Sequence, residues 1–133
     1  MLMGRIEKFE DLEIWQLARE FCSDVYTLFL NSSLGIDYPL RNQMDKSSGS
    51  IMDNIAEGFE RNGNKEFIQY LSVAKASCGE LRSQLYRALD RKHIDKPTFD
   101  QMIGKLTLES KKISAFLNYL FKSGFKGSKH KNP

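Results

Sequence analysis

Few side chains in this 133-residue sequence have the type and spacing that covalent or metal chemistry needs. The nearest approach to a metal-binding helix motif is Asp90-Arg91-Lys92-His93, in which one acid precedes one histidine by three residues. Helical bundles that hold two metals use two Glu-x-x-His units with two further glutamates, and the basic pair here would repel a cation. Gly-rich phosphate loops, Gly-x-Ser-x-Gly elbows and His-Glu-x-x-His motifs are absent from the sequence. We therefore predict a protein that is not an enzyme and has no cofactor or metal.

The two cysteines, Cys22 and Cys78, lie on apolar helical stripes and lack the paired spacing of a zinc site. We interpret them as buried free thiols rather than as a disulfide. No apolar run approaches the ~20 residues that span a bilayer, and residues 1–5 lack the apolar core of a secretion signal. These features predict a cytoplasmic protein.

Basic side chains are the more informative feature. The formal net charge is +3, but residues 122–133 hold four lysines and no acids, so residues 1–121 hold 16 basic and 17 acidic residues. Lysines and arginines on one surface bind nucleic acid by displacing counterions from its phosphates, with little sequence specificity. The candidate nucleic-acid-binding residues are Arg82, Arg87, Arg91, Lys92, Lys122, Lys126, Lys129 and Lys131. Because charged runs often serve only as solvated surface, the alternative is a protein-interaction scaffold with no nucleic-acid role.

Helices must position these residues, because apolar side chains recur in steps of three and four along most of the chain. In the third of four such segments the pattern is unbroken, and its members are Phe67, Leu71, Ala74, Cys78, Leu81, Leu85 and Ala88. In the second segment the members are Leu40, Met44, Ser48, Ile51, Ile55 and Phe59. In the fourth they are Phe99, Ile103, Leu106, Ser110, Ile113, Leu117 and Leu120.

Four helices of comparable length with short connectors predict an all-α, up-down-up-down antiparallel four-helix bundle. No segment has the pattern of a strand. We assign residues 1–8 to a lead-in, residues 9–121 to the bundle domain and residues 122–133 to a flexible basic tail. Polar residues at the segment ends predict the helix caps: Asp37 for the second helix, Asn64 for the third, and Asp95 or Thr98 for the fourth.

The apolar positions named above form one row along each helix, which we call its seam. Two rows of small or polar side chains run beside these seams. The row on the second helix is either a solvated or interhelical hydrogen-bonding face or a recognition surface, and it consists of Ser47, Ser50, Asn54, Glu57 and Arg61. The row on the third helix consists of Ser72, Ala76, Gly79 and Ser83. Because a glycine inside a helix costs ~1 kcal/mol relative to alanine, this row indicates the close approach of another helix, as in an oligomer. The alternative is a solvent face without a partner.

Three blocks of the sequence resemble the four-helix-bundle proteins that are encoded within intervening sequences of bacterial 23S rRNA genes. The most specific block is Asn54-Ile55-Ala56-Glu57-Gly58-Phe59-Glu60-Arg61, which follows Leu40-Arg41-Asn42-Gln43. Phe67-Ile68-Gln69-Tyr70-Leu71 with the downstream Glu80-Leu81 is similar to the family's second block, and Phe9-Glu10-Asp11-Leu12 is similar to its start. The likeness spans residues 9–120. The signature residues are Asn54, Ile55, Ala56, Glu57, Gly58 and Arg61.

The resemblance implies a bundle that assembles into a ring-like homopentamer without established enzymatic activity. The family is labelled ribosomal because of where its genes lie. It is also similar to the accessory bundle protein of diversity-generating retroelements, which binds nucleic acid and a reverse transcriptase. This chain departs from the family at one point, since Asp45-Lys46 stands where the family has a basic pair. The departure weakens part of any shared basic surface.

Overall fold

The computed structural model describes residues 6–123. Within this range the chain forms four α-helices, two short 3-10 helices and no strand, which confirms the predicted all-α four-helix architecture. The α-helices are α1 (Glu13–Asn31), α2 (Tyr38–Glu60), α3 (Asn64–Asp90) and α4 (Lys96–Ser123), and the 3-10 helices are Phe9–Asp11 and Ser33–Ile36. No helix formed by the described residues is both long and apolar enough to cross a membrane.

The four helices are arranged so that each packs against its neighbours in the chain, and α4 closes the bundle against α1. The turn between α2 and α3 is short because Asn62 takes a left-handed conformation, with a φ of 63°. Asparagine is one of the few residues that adopt this conformation at little cost. Lys92, in the turn between α3 and α4, has the same φ of 63°. These tight reversals keep successive helices antiparallel.

An aromatic cluster lies at the end of the core near the α2–α3 turn. Phe67 of α3 packs edge-on against Phe59 of α2 and Phe116 of α4, with ring centroids 5.9 Å and 5.4 Å apart. All three side chains are at most 1% exposed. Ile6, from the predicted lead-in, is also buried against this single core.

The predicted seams of α2 and α3 are confirmed, since every member is buried. The predicted seam of α4 is wrong at alternate positions. Ile103, Ser110 and Leu117 are only partly buried, whereas the helix buries the residue one place earlier in each case: Met102, Glu109 and Phe116. The predicted and the observed sets of positions both have steps of three and four. The observed set contains the charged residue Glu109, so the sequence did not reveal it as the buried one.

The predicted helix caps have mixed outcomes. Asp95 caps α4, because its Oδ1 accepts the backbone N–H of Thr98 at 2.9 Å. Asn64 does not cap α3: Gly63 takes that position, and Asn64 Nδ2 instead donates to the carbonyl of Leu120 at 2.9 Å. Asp37 precedes α2, but its side chain makes no cap hydrogen bond. The side chains of Asn64 and Asp37 instead bind another helix and another turn, respectively. Local sequence does not indicate this role.

Candidate nucleic-acid interface

The predicted basic residues of α3 divide into free and tethered side chains. Arg82 and Lys92 are exposed, and within residues 6–123 neither side chain has a hydrogen bond or ion pair. Arg87 donates from Nη1 to Gln43 Oε1 at 2.7 Å, and Arg91 donates from Nη1 to Asp37 Oδ2 at 2.9 Å. Arg91 is therefore paired with a carboxylate, whereas Arg82, Arg87 and Lys92 have no acidic partner within residues 6–123.

The structure does not bring Lys122 close to this group. Lys122 lies in the last turn of α4, which packs near the beginning of α3, as the contact from Asn64 to Leu120 shows. Since α3 has 27 residues, its two ends lie roughly 40 Å apart. Three further candidates, Lys126, Lys129 and Lys131, lie outside the described residues.

A polar network joins the connector before α2 to the turn after α3. Ser33 Oγ lies 2.6 Å from His93 Nδ1, and His93 Nε2 lies 2.8 Å from Asp37 Oδ2. The hydrogen bonds from His93 and Arg91 hold the pKa of Asp37 below its usual value. This residue set resembles the serine, histidine and aspartate of hydrolases.

Two features of the network indicate that it holds two segments together rather than supporting nucleophilic catalysis. The oxygen of Asp37 that contacts His93 also accepts from Arg91, so the carboxylate is already paired with a permanent cation. The backbone N–H groups of Leu34 and Gly35 both donate to Ser32 and cannot stabilise an oxyanion beside Ser33. The network therefore fixes one end of the bundle.

The polar row of α2 makes an interhelical hydrogen-bonding face with α3, as one of the two interpretations predicted. Ser50 Oγ pairs with Ser77 Oγ at 2.8 Å, and Ser47 Oγ donates to Glu80 Oε1 at 3.1 Å. Asn54 donates to the carbonyl of Ser50 at 2.8 Å. Small hydroxyl side chains thus hold this part of the α2–α3 contact together.

The signature residues at the other end of the row also have structural roles. Glu57 Oε2 accepts from Arg61 Nη2 and from Tyr70 Oη, each at 3.0 Å, and these bonds lower the pKa of Glu57. The Arg61 guanidinium lies over the Tyr70 ring, 5.4 Å from its centroid. Gly58 is buried directly against Tyr70 and Phe67, so α2 and α3 approach closely there. The signature therefore builds the turn-side end of the α2–α3 contact.

A polar groove opens between α2 and α3 toward their opposite end, and we call it the α2–α3 groove. Its cavity has a volume of about 430 Å³. It is lined by Gln43, Lys46, Ser47, Glu80, Gln84 and Arg87, with Ser83 at its rim. Lys46 and Arg87 provide positive charge, and Glu80 provides one carboxylate. Only Arg87 of these seven was predicted from the sequence to bind nucleic acid.

The predicted oligomer residues all lie on the solvent side of α3. Ser72, Ala76, Gly79 and Ser83 are exposed, and a Cβ atom added to Gly79 would meet no atom of the described chain within 4 Å. Ser83 belongs both to this row and to the rim of the α2–α3 groove. The predicted oligomer and nucleic-acid surfaces therefore meet on α3.

Sequence reasoning missed two buried polar side chains that have unpaired atoms. Gln84 lies next to the α3 seam and is 6% exposed, and Glu109 lies in the α4 seam and is 2% exposed. Within residues 6–123, neither Gln84 Oε1 nor either carboxylate oxygen of Glu109 has a hydrogen-bond partner. The signal for Glu109 was its place three residues after Leu106 and four before Ile113, in step with the buried positions.

Both cysteines are free thiols, as predicted. Cys78 is buried, whereas Cys22 is partly buried and its Sγ donates to the carbonyl of Ser48 at 3.2 Å. Burial raises the pKa of Cys22 to about 11 and that of Cys78 to about 12, so both remain protonated at neutral pH. Within the described residues no group of histidine, cysteine or acidic side chains could hold a metal ion.

The fold and this surface define a small all-α bundle protein with a basic face on α3 and a polar groove beside it. The sequence matches the family model of the 23S rRNA-intervening sequence protein over residues 10–115. The chain therefore belongs to that family, which confirms the resemblance inferred from its three sequence blocks. No protein of curated function is significantly similar to it.

A solved structure supports the fold. The crystal structure of a protein of unknown function from the S23 ribosomal protein family, from Bacteroides thetaiotaomicron, matches with a TM-score of 0.70. The match covers 78% of this chain and 97% of that chain at 18% sequence identity. At this identity the likeness shows a shared bundle architecture.

Proposed function

We propose that this chain is a non-enzymatic, cytoplasmic protein that binds RNA or DNA through backbone phosphates. The observation that carries the proposal is the group of cations on the second half of α3 and in the turn that follows it. Arg82 and Lys92 are exposed without a partner among residues 6–123, and Arg87 borders the α2–α3 groove. Such side chains can approach phosphates without first breaking an ion pair within the protein.

The proposed contact surface is centred on the end of the bundle that contains the turn between α3 and α4. Arg91 contributes less, because Asp37 already accepts a hydrogen bond from it. Lys122, at the far end of α4, adds contacts only for a nucleic acid that extends along the length of the bundle. The tail residues Lys126, Lys129 and Lys131 remain candidates for further phosphate contacts.

Replacing both Arg82 and Lys92 with glutamine is expected to weaken binding to single-stranded RNA about tenfold at low salt. The log-log salt slope should become shallower by about 1.4, because each lost single-strand phosphate contact removes about 0.7. Fluorescence anisotropy with a labelled oligouridylate across a salt series measures both quantities. Lys65→Gln, which removes an exposed lysine at the other end of α3, is the matched control. Equal slopes for the two variants would contradict the proposed surface.

We also propose that the chain forms a homo-oligomer, with the pentamer suggested by the resemblance, through the small-residue row of α3. Gly79→Leu is expected to lower the mass in solution while leaving helical content intact. The added side chain would point away from the core of its own protomer, where nothing lies within 4 Å, and would obstruct a neighbouring helix. Light scattering and circular dichroism measure the two results. An unchanged mass would refute this interface.

A further inference from the structure

The α2–α3 groove contains two side-chain acceptors, buried Gln84 and exposed Glu80, that phosphate binding alone leaves without a role. Gln84 is 6% exposed, and its Oε1 has no partner within residues 6–123. Glu80 accepts from Ser47 through Oε1 only, so its Oε2 is available within the described chain. A buried acceptor such as Gln84 Oε1 is normally paired, and the exposed carboxylate of Glu80 lies one helical turn from it on α3. They call for a ligand that presents hydrogen-bond donors.

Positive charge lies beside these acceptors in the same groove. Arg87 follows Glu80 by seven residues, which is two helical turns or roughly 10 Å. Its Nη1 is held by Gln43 at 2.7 Å, which leaves the other guanidinium N–H groups to bind a ligand. Lys46 lines the groove from α2 and, within residues 6–123, has no ion pair. The groove therefore combines acceptors on α3 with one cation on each of its two helices.

We infer that the α2–α3 groove binds one unpaired guanine nucleotide of a single-stranded nucleic acid. The base edge would donate to Glu80 and Gln84, and the adjoining phosphate would contact Lys46 and Arg87. Guanine presents two neighbouring donors, N1–H and the N2 amino group, and so matches two neighbouring acceptors. A volume of about 430 Å³ is within the range of small-ligand sites. This inference rests on the proposed function and adds a base preference to it.

A double helix would not satisfy this groove, because base pairing already uses the donors on the Watson–Crick edge of guanine. Adenine and cytosine offer one amino group, and uracil offers one ring N–H flanked by carbonyl acceptors. The carboxylate of Glu80 also disfavours a phosphate at that end, which sets the orientation of the nucleotide. The groove thus provides sequence preference where the exposed cations of α3 provide none.

The test uses the full chain and three short RNAs that differ at one position. An oligouridylate carries a central guanosine, inosine or uridine, and fluorescence anisotropy measures each affinity. We expect guanosine to bind about tenfold tighter than uridine, with inosine between them because it lacks the N2 amino group. Glu80→Gln and Gln84→Leu should each abolish the preference. Glu60→Gln, which makes the same change of charge at an exposed position of α2, should retain it.

Each outcome separates this inference from the proposed function. Equal binding of the three RNAs overturns the base site but leaves phosphate binding in place. A guanosine preference that persists in folded Glu80→Gln and Gln84→Leu overturns its location in the groove. No binding to any of the RNAs at low salt overturns both. Circular dichroism of each variant verifies that the bundle is folded before affinities are compared.

Discussion

Replacing Glu109 with glutamine is expected to raise the free energy of unfolding at pH 8.5 by roughly 5 kcal/mol, less the smaller cost of burying an unpaired amide. Glu109 is 2% exposed, and burial raises the pKa of its carboxyl from 4.5 to about 8. A folded pKa that lies one pH unit above the unfolded one corresponds to about 1.4 kcal/mol of preference for the neutral form. Ionised Glu109 therefore opposes folding, and glutamine has a similar shape without the charge.

The pH dependence follows from which of the two pKa values is higher. Because the folded pKa lies above the unfolded one, the folded state binds more protons between about pH 4.5 and pH 8. The contribution of Glu109 to stability is fully retained below this window, falls as the pH rises through it, and levels off above about pH 8. In the variant this fall should be absent.

The groups around Glu109 explain why its ionised form is not stabilised. Glu13 of α1 disfavours its charge, and Lys112 of α4 favours it. Lys112, however, donates to Glu13 Oε1 at 3.1 Å rather than to Glu109. From α3, the thiol of Cys78 has a pKa of about 12 and stays neutral. The charged form of Glu109 thus has no direct partner among residues 6–123.

Urea unfolding of both proteins from pH 5 to pH 9 measures the difference. The free energy of unfolding is plotted against pH for each protein. Subtracting one plot from the other removes the contributions of all other titrating groups. Glu10→Gln, an exposed acid before α1, is the control and should leave the slope unchanged. A constant difference between wild type and Glu109→Gln across this range would contradict the prediction.

Replacing Gly58 with alanine is expected to lower the free energy of unfolding by about 1 kcal/mol, which is the net of an overpacking cost and a gain in helix propensity. A Cβ atom at Gly58 would lie 2.6 Å from Tyr70 Cβ and 3.0 Å from Phe67 Cδ1. Tyr70 Cβ is fixed to the backbone of α3, so the two helices would have to separate locally. Overpacking of this kind costs about 1–3 kcal/mol, which exceeds the gain of about 1 kcal/mol from the helix propensity of alanine.

Gly104→Ala is the matched control for this substitution. Gly104 also lies within a helix, but a Cβ atom there would meet nothing within 4 Å. The control should therefore raise stability by up to about 1 kcal/mol. Thermal and urea unfolding of both variants measure the effects. If Gly58→Ala were stabilising like the control, close approach of α2 and α3 at this glycine would not be a constraint on the fold.

The sequence alone determined the architecture, because apolar periodicity is a property of each segment by itself. The unbroken seam from Phe67 to Ala88 required a helix buried along one side, and every predicted member is buried. Local chemistry also narrowed the cap of α4 to Asp95 or Thr98, and the structure uses Asp95. The blocks around Gly58 were sufficient to indicate the family, which the match over residues 10–115 shows.

The tertiary structure alone decided which side chains from different helices meet. Antiparallel packing separates Lys122 from Arg91, although both basic residues lie at the C-terminal end of a long helix, and it brings Gln43 to Arg87 across 44 positions. Between two seams of equal spacing in α4, packing selected the one that contains Glu109. The reason is physical: spacing along a helix fixes the face on which a residue lies, whereas its neighbours depend on how far the facing helices slide past each other.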